Sequence, residues 1–323
     1  MSFIIFFIIV RHTTFALRMN RFRLLSLFFT VSWLFVCQEN VWSQHDRTRR
    51  RVKLPLQLQE VSGMTFLPDG SLWMLNDSQN PAELYCVNSV TGRIEKTVPL
   101  PAANRDWEDL TTDGSGRLFI GDFGNNQNKR RDLRILIFNP VSGSLDSILF
   151  SYPDQIAFPP AEEAGRNFDM EAFVFCKDSL HLFSKHRFKG DFVCKHYTLP
   201  AIPGSFTARL VESRVIPDRV ITGAALNSDG SVLALTGYIV SLRWGFLPRT
   251  RASAMFFSSF SGSRFLGGDM SVKRLPKFLI ARQFESVAHV HDNVWLVANE
   301  GRKWQKQRLW RIKSPAHPQK ITH

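Results

Sequence analysis

From residue 60 onward, short runs rich in apolar residues recur between turns built from Gly, Asp, Asn and Pro. The clearest case begins Asp106-Trp107-Glu108-Asp109-Leu110-Thr111-Thr112, passes a Gly-rich turn, and continues Arg117-Leu118-Phe119-Ile120-Gly121-Asp122-Phe123-Gly124-Asn125-Asn126. An apolar run on each side of a Gly-containing turn reads as a β-hairpin. Antiparallel pairing then sets Glu108, where the first strand begins, beside Asp122, where the second ends.

The pattern recurs along the chain. Aligned on the first apolar residue after each turn, Ser62 lies ten residues before Leu72, Glu108 ten before Leu118 and Thr222 ten before Val232; Glu171 and Glu285 lie nine before Leu180 and Val294. The turns correspond too: Pro68-Asp69-Gly70, Asp113 to Gly116, Lys177-Asp178, Ser228-Asp229-Gly230 and His291-Asp292-Asn293. Repeat starts fall 46, 63, 51 and 63 residues apart, against roughly 40 to 50 for a four-stranded propeller blade, and loops absorb the excess. The expected fold is an all-β, five-bladed β-propeller. A six-bladed alternative needs a further repeat within 146–166, where the sequence offers only a Pro-rich loop.

Strands follow blade by blade. Blade one takes Val61–Leu67, Leu72–Leu75, Glu83–Val87 and Ile94–Leu100; blade two Asp109–Thr112, Arg117–Ile120, Leu133–Phe138 and Ser147–Ser151. Blade three takes Ala172–Cys176, Ser179–Ser184, Phe192–Leu199 and Ala208–Ile216; blade four Gly223–Leu226, Val232–Thr236, Ala252–Phe257 and Ser271–Leu275. Blade five supplies three strands, Ser286–Val290, Val294–Ala298 and Arg308–Ile312, so Arg51–Leu56 is expected to add the fourth and close the ring. Closure removes the exposed edges that would pair with other chains.

Residues outside this rhythm carry other signals. A basic stretch from Met19 to Arg23, an apolar core from Leu24 to Cys37 and the short Val41-Trp42-Ser43 run read as a secretory signal peptide over residues 1–43. The alternative is a lipid anchor at Cys37, where Leu34-Phe35-Val36-Cys37 has lipobox character. The propeller then spans 44–313, residues 314–323 form a polar, Pro-containing tail, and the protein is expected to be secreted or periplasmic, with no transmembrane segment in the mature chain. Of the formal net charge of +13, Arg11, Arg18, Arg21 and Arg23 against Glu39 account for three. Cys86, Cys176 and Cys194 are an odd set, read as buried thiols, with a Cys176 to Cys194 disulfide the alternative.

The first strand of a blade lines the central channel, so Ser62, Glu108, Glu171, Thr222 and Glu285 are expected to form one ring about the axis. Carboxylates facing one another there must take up protons or share a cation. Three carboxylates and two hydroxyls are hard oxygen donors suited to calcium. Loops at the same end bring Asp77, Asn125, Asn126, Arg130, Lys185, Arg187, Arg302 and Lys303, with Lys129, Arg131, the 153–170 loop and a long loop over 237–251. That mouth is expected to bind an anionic small molecule or polyanion, since Arg suits phosphate and carboxylate. Asp122 and Asp169 are the candidates to orient or deprotonate a water. No basic stripe interleaved with aromatics marks a nucleic-acid partner.

Two resemblances rest on these residues. Asp106 to Asp109, Gly121 to Asn126 with Arg130-Arg131, Tyr152-Pro153-Asp154 and Asp169 to Ala172 resemble a group of secreted bacterial propeller proteins of unassigned activity, akin to the phytase-like esterase group. The order Ser62, Glu108, Glu171, Thr222, Glu285 is similar to the channel calcium ring of the five-bladed calcium-activated nucleotidases, the apyrases. Together they imply a propeller, export and a channel calcium. Two functions follow as expectations: metal-dependent hydrolysis of a phosphoester, or non-catalytic binding at the cell envelope.

Overall fold

The computed structural model describes residues 50–186, 192–217, 219–243, 247–276, 283–302 and 305–315. The expected signal peptide, Arg187, Lys303 and nearly all of the expected tail lie outside them. Strand β1 (Arg51–Lys53) leads into blade one, made of β2 (Val61–Phe66), β3 (Leu72–Asn76), β4 (Glu83–Val87) and β5 (Ile94–Pro99). Blade two is β6 (Trp107–Thr112), β7 (Leu118–Asp122), β8 (Arg134–Phe138) and β9 (Leu145–Ser151). Blade three is β10 (Met170–Cys176), β11 (Ser179–Ser184), β12 (Val193–Pro200) and β14 (Arg209–Val215), with β13 (Gly204–Thr207) between the last two in sequence. Blade four is β15 (Val220–Leu226), β16 (Leu233–Arg243), β17 (Leu247–Ser258) and β18 (Asp269–Arg274). Blade five is β19 (Phe284–His291), β20 (Val294–Asn299) and β21 (Arg308–Lys313), and β1 pairs with β21 to complete it.

These sheets form a five-bladed β-propeller. Its first strands touch in a closed cycle, β2 on β6, β6 on β10, β10 on β15, β15 on β19 and β19 back on β2. Residues 146–166, where a sixth blade would have to begin, hold the end of β9, a loop and one turn of 3-10 helix. Because side chains alternate across a strand, each blade sends one set of apolar residues to each neighbour. The buried apolar residues accordingly divide into five slabs, one per blade interface. The slab between blades two and three is the most aromatic, with Phe119, Phe123, Phe150, Tyr152, Phe168, Phe173 and Tyr197. Each fully buried side chain of this size contributes about 1.5 to 3 kcal/mol relative to exposure.

Two elements depart from the sequence expectation. Residues 237–251, expected as a loop, continue the β16–β17 hairpin, which stays paired from Leu233 with Phe257 out to Arg243 with Leu247. Gly237 reads as a breaker in sequence, yet the run Tyr238-Ile239-Val240 after it has strong strand preference and finds a partner in the returning strand. The second departure is β13, which leaves blade three to pair in parallel with β9, so that the outer edge of blade two is covered by its neighbour. Cys86, Cys176 and Cys194 are free thiols.

Candidate functional site

All five innermost strands carry a β-bulge at one equivalent place. Register slips by one residue between Val61 and Gly63, Trp107 and Asp109, Met170 and Ala172, Ile221 and Gly223, and Phe284 and Ser286. The extra residues are therefore Ser62, Glu108, Glu171, Thr222 and Glu285, the five positions matched by the repeat. A bulge bends its strand and re-aims a side chain. All five residues are buried.

Their surroundings differ. The Ser62 hydroxyl donates to the Trp107 carbonyl in the next blade at 3.0 Å, and the Thr222 hydroxyl to the Phe284 carbonyl at 2.7 Å. Each tie ends on the residue just before the next blade's bulge glutamate. Glu171 is ion-paired with the Lys185 ammonium, and both are buried. Glu285 accepts from Gln283 Nε2 at 3.0 Å, and the same amide donates to the Tyr238 hydroxyl at 2.9 Å. Glu108 is 5% exposed, and among the described residues no hydrogen bond or ion pair reaches its carboxyl.

A second tier lies at the ends of the second strands. The N–H groups of Asp77, Gly124, Lys185 and Glu300 donate to the carbonyls of Glu60, Asp106, Asp169 and Gln283, each two residues before a bulge. These four positions are equivalent, and in blade two the occupant is a glycine. A Cβ on Gly124 would lie 2.2 Å from Glu108 Oε1 and 2.5 Å from the Asp106 carboxyl. The missing side chain is what lets those two acids reach the mouth. There they meet Asp77, and one oxygen from each of Asp77, Asp106 and Glu108 lies within 4.8 Å of the others.

Burial and mutual repulsion raise the proton affinity of this cluster. Desolvation, with the Glu171 and Asp106 charges, pushes Asp77 up to about 6. Desolvation likewise raises Asp106, and holds Glu108 well above the usual carboxylate range with Glu171 and Asp77 adding to it. Across the mouth, Glu300 is pushed up to about 9 by burial and by Glu285. Below the ring, Asp109 is fully buried and raised by desolvation against three backbone N–H donors.

The remaining expected site residues fall into place as follows. Asp122 has no exposure, and its oxygens are taken by Arg130 at 3.0 Å and Arg134 at 2.8 Å, so it anchors two guanidinium groups instead of standing open to a water. Asp169 accepts from the Asn125 N–H at 2.8 Å, which fastens the blade-two loop to blade three. Asn125 also donates to the Phe168 carbonyl and accepts from the Arg130 N–H, whereas Asn126 is exposed. Arg130 further donates to the Gly124 carbonyl, and Arg302 lies 4.0 Å from Glu300. Among the described residues, then, Arg130, Lys185 and Arg302 of the expected basic mouth each lie beside an acid, whereas Lys129 and Arg131 are exposed. Asp106, Glu300 and Gly124 are absent from the site residues expected from sequence; Asp77 and Lys185 lie five residues after the aligned Leu72 and Leu180, but Gly124 and Glu300 lie six after Leu118 and Val294, so their equivalence shows only in the hydrogen bonds.

No protein-family model matches the chain, and no curated protein matches it. The resemblances to the secreted propeller group and to the nucleotidases therefore have no sequence match behind them. Similar solved structures include virginiamycin B lyase from Staphylococcus aureus, at 13% identity over 82% of this chain and 74% of that one with a TM-score of 0.37. A streptogramin B lyase matches at 11% identity, 83% and 87% coverage and a TM-score of 0.41. Hydrazine synthase from Kuenenia stuttgartiensis matches at 11%, 74% and 73%, with 0.39. Likeness this distant carries nothing about chemistry, and the fold rests on the chain's own sheets.

Proposed function

We propose that this propeller binds a divalent cation, calcium foremost, through Asp77, Asp106 and Glu108 at the channel mouth, and through that ion an anionic ligand. One observation carries the reading: Glu108 is a buried carboxyl with no hydrogen-bond or ion-pair partner among the described residues, facing two further carboxyls in space that Gly124 keeps clear. Oxygens bound to one calcium at 2.3 to 2.6 Å lie no more than about 5 Å apart, which the 4.8 Å spread satisfies. An all-oxygen donor set favours calcium over zinc. Three acids on one arc leave coordination positions for water or for a ligand's phosphate or carboxylate.

Binding is supported better than turnover. A bound ion would polarise a phosphoryl oxygen, but Asp122 is committed to two arginines and Asp169 to a loop amide. The basic and apolar segments at Met19–Cys37 support export, and extracellular calcium modules work at roughly 10⁻⁴ to 10⁻³ M. The test is calorimetric calcium titration in buffers of different ionisation enthalpy. Saturable binding with proton release is expected, because the ion replaces protons held by the raised carboxyls. Absence of binding at millimolar calcium, or binding unaltered by Glu108→Gln, refutes the site.

A further inference from the structure

One step inward from the ring, the residues following the five bulge positions are Gly63, Asp109, Ala172, Gly223 and Ser286, all buried. Four are small, and only blade two places a longer side chain there. Asp109 Oδ1 accepts from its own neighbour Leu110 N–H at 2.8 Å, and Oδ2 accepts from Phe173 N–H of β10 at 3.1 Å and Ala224 N–H of β15 at 3.3 Å. In the cycle of inner strands, β6 and β10 are neighbours but β6 and β15 are not. A side chain from β6 reaches the backbone of β15 only by crossing the axis.

The small residues make that crossing possible. A Cβ on Gly63 would lie 2.5 Å from Leu110 N and 2.7 Å from the Asp109 carbonyl carbon. A Cβ on Gly223 would lie 2.6 Å from the Glu285 carbonyl oxygen. Neither glycine is forced by a left-handed backbone; each is where another strand passes too close for a side chain. Backbone from β6, β10 and β15 thus converges on one carboxylate, and that carboxylate has no exposure.

We infer that Asp109 is the floor of the cup: a positioning residue that closes the axial channel and ties β6, β10 and β15 together beneath the carboxylate mouth, so that ions and ligands enter and leave by that mouth alone. Asp109 follows Glu108 directly, so the tie also fixes the bulge from which Glu108 projects. The effect on a bound ion rests on the cation reading above; the three-blade tie does not. Carboxylates suit this task because one group offers several acceptor sites to N–H donors.

The test is residue-resolved amide exchange on the full chain, with and without Asp109→Ala, beside calcium titration of both proteins. Alanine removes both oxygens at once, so neither Phe173 nor Ala224 keeps its acceptor, whereas asparagine would still offer its one oxygen to both. Exchange at Phe173 and Ala224 is expected to rise at least tenfold with β9 and β18 unchanged, and calcium affinity to fall about tenfold. Unchanged exchange at both amides, or an equal rise in every blade, overturns the tie. A loosened tie with unchanged calcium affinity makes Asp109 a structural strut and overturns the positioning role. If the unmodified protein binds no calcium, the cation reading falls while exchange still decides the floor. Should the variant not fold, the unmodified chain decides: Leu110, Phe173 and Ala224 exchange at one common slow rate, corrected for intrinsic rates, if one carboxylate holds them, and at three unrelated rates if not.

Discussion

Two arcs of the same mouth have taken opposite routes. On the arc formed by blades three to five, the acids have partners within the protein: Glu171 has Lys185, Glu285 has Gln283, and Glu300 has Arg302 nearby. On the arc formed by blades one and two, Asp77, Asp106 and Glu108 converge without an ion pair to any of the three among the described residues, Arg130 and Lys185 acting on them only from a distance, and Gly124 takes the hydrogen-bonding place that Lys185 has in blade three. The backbone positions are equivalent, so the difference lies in a side chain. A lysine at the second-tier position makes a self-neutralised wall, and a glycine makes a vacancy bordered by acids. Carboxylates alone therefore do not make a site; the missing internal counter-charge does.

Removing the wall's cation should have the largest effect. Lys185→Met leaves Glu171 buried without its ammonium, and loss of one partner of a buried pair costs about 3 to 5 kcal/mol. Urea unfolding should register it, and added calcium should restore part of the stability by taking over the lysine's charge. If Lys185→Met unfolds at the same urea concentration as the unmodified protein, the two arcs do not differ as described.

Filling the vacancy comes next. Gly124→Ala forces the Glu108 and Asp106 carboxyls apart and should lower stability by about 1 to 3 kcal/mol, the usual range for overpacking. Calorimetry should show calcium affinity falling more than the melting point does; a variant that binds calcium normally would remove Gly124 from the site.

The pH dependence joins the two arcs. Asp77 rises from 3.8 to about 6, and Glu300 from 4.5 to about 9, so the folded chain holds protons that the unfolded chain has released. The contribution of these groups is thus fully favourable below the unfolded values and is lost as pH rises through the folded ones. Thermal melts of the metal-free protein should fall from about pH 4 to pH 9, and saturating calcium should flatten the fall on the Asp77 side. A melting point rising over that range would contradict the charge arrangement.

Smallest in stability is Glu108→Gln. Burial and the neighbouring acids raise the proton affinity of this carboxyl, so an uncharged amide of the same shape should change the unfolding free energy by less than about 1 kcal/mol. The rise in melting temperature on adding calcium should nevertheless disappear.

The fold was legible because a propeller repeats its grammar. Each hairpin brought an alternating apolar run and a turn residue to the same offset, and the bulge residues came out at the positions the offsets implied. Beyond the bulge the repeat loses force. Whether Lys185 reaches Glu171 or an outside anion depends on side-chain direction and burial, which spacing does not encode. Two basic residues read in sequence as ligand-binding, Arg130 and Lys185, are ion-paired inside the protein with Asp122 and Glu171. The long β16–β17 ribbon was hidden by Gly237, whose usual meaning as a breaker was overridden by pairing on both sides. Asp109 stood within the most recognisable motif, but its role appears only when three strands distant in sequence are brought to one axis.

The pairing of β1 with β21 sets the order in which the molecule can be assembled. Four blades are built from neighbouring hairpins, whereas the fifth joins segments as far apart as Leu54 and Gln307, 253 residues from one another along the chain. Contacts of such separation form late, since loop-closure entropy must be met before they reward the chain. A chain delivered from its N-terminus therefore carries β1 unpaired until β21 arrives, and the last sheet to form is the one that turns a row of blades into a ring.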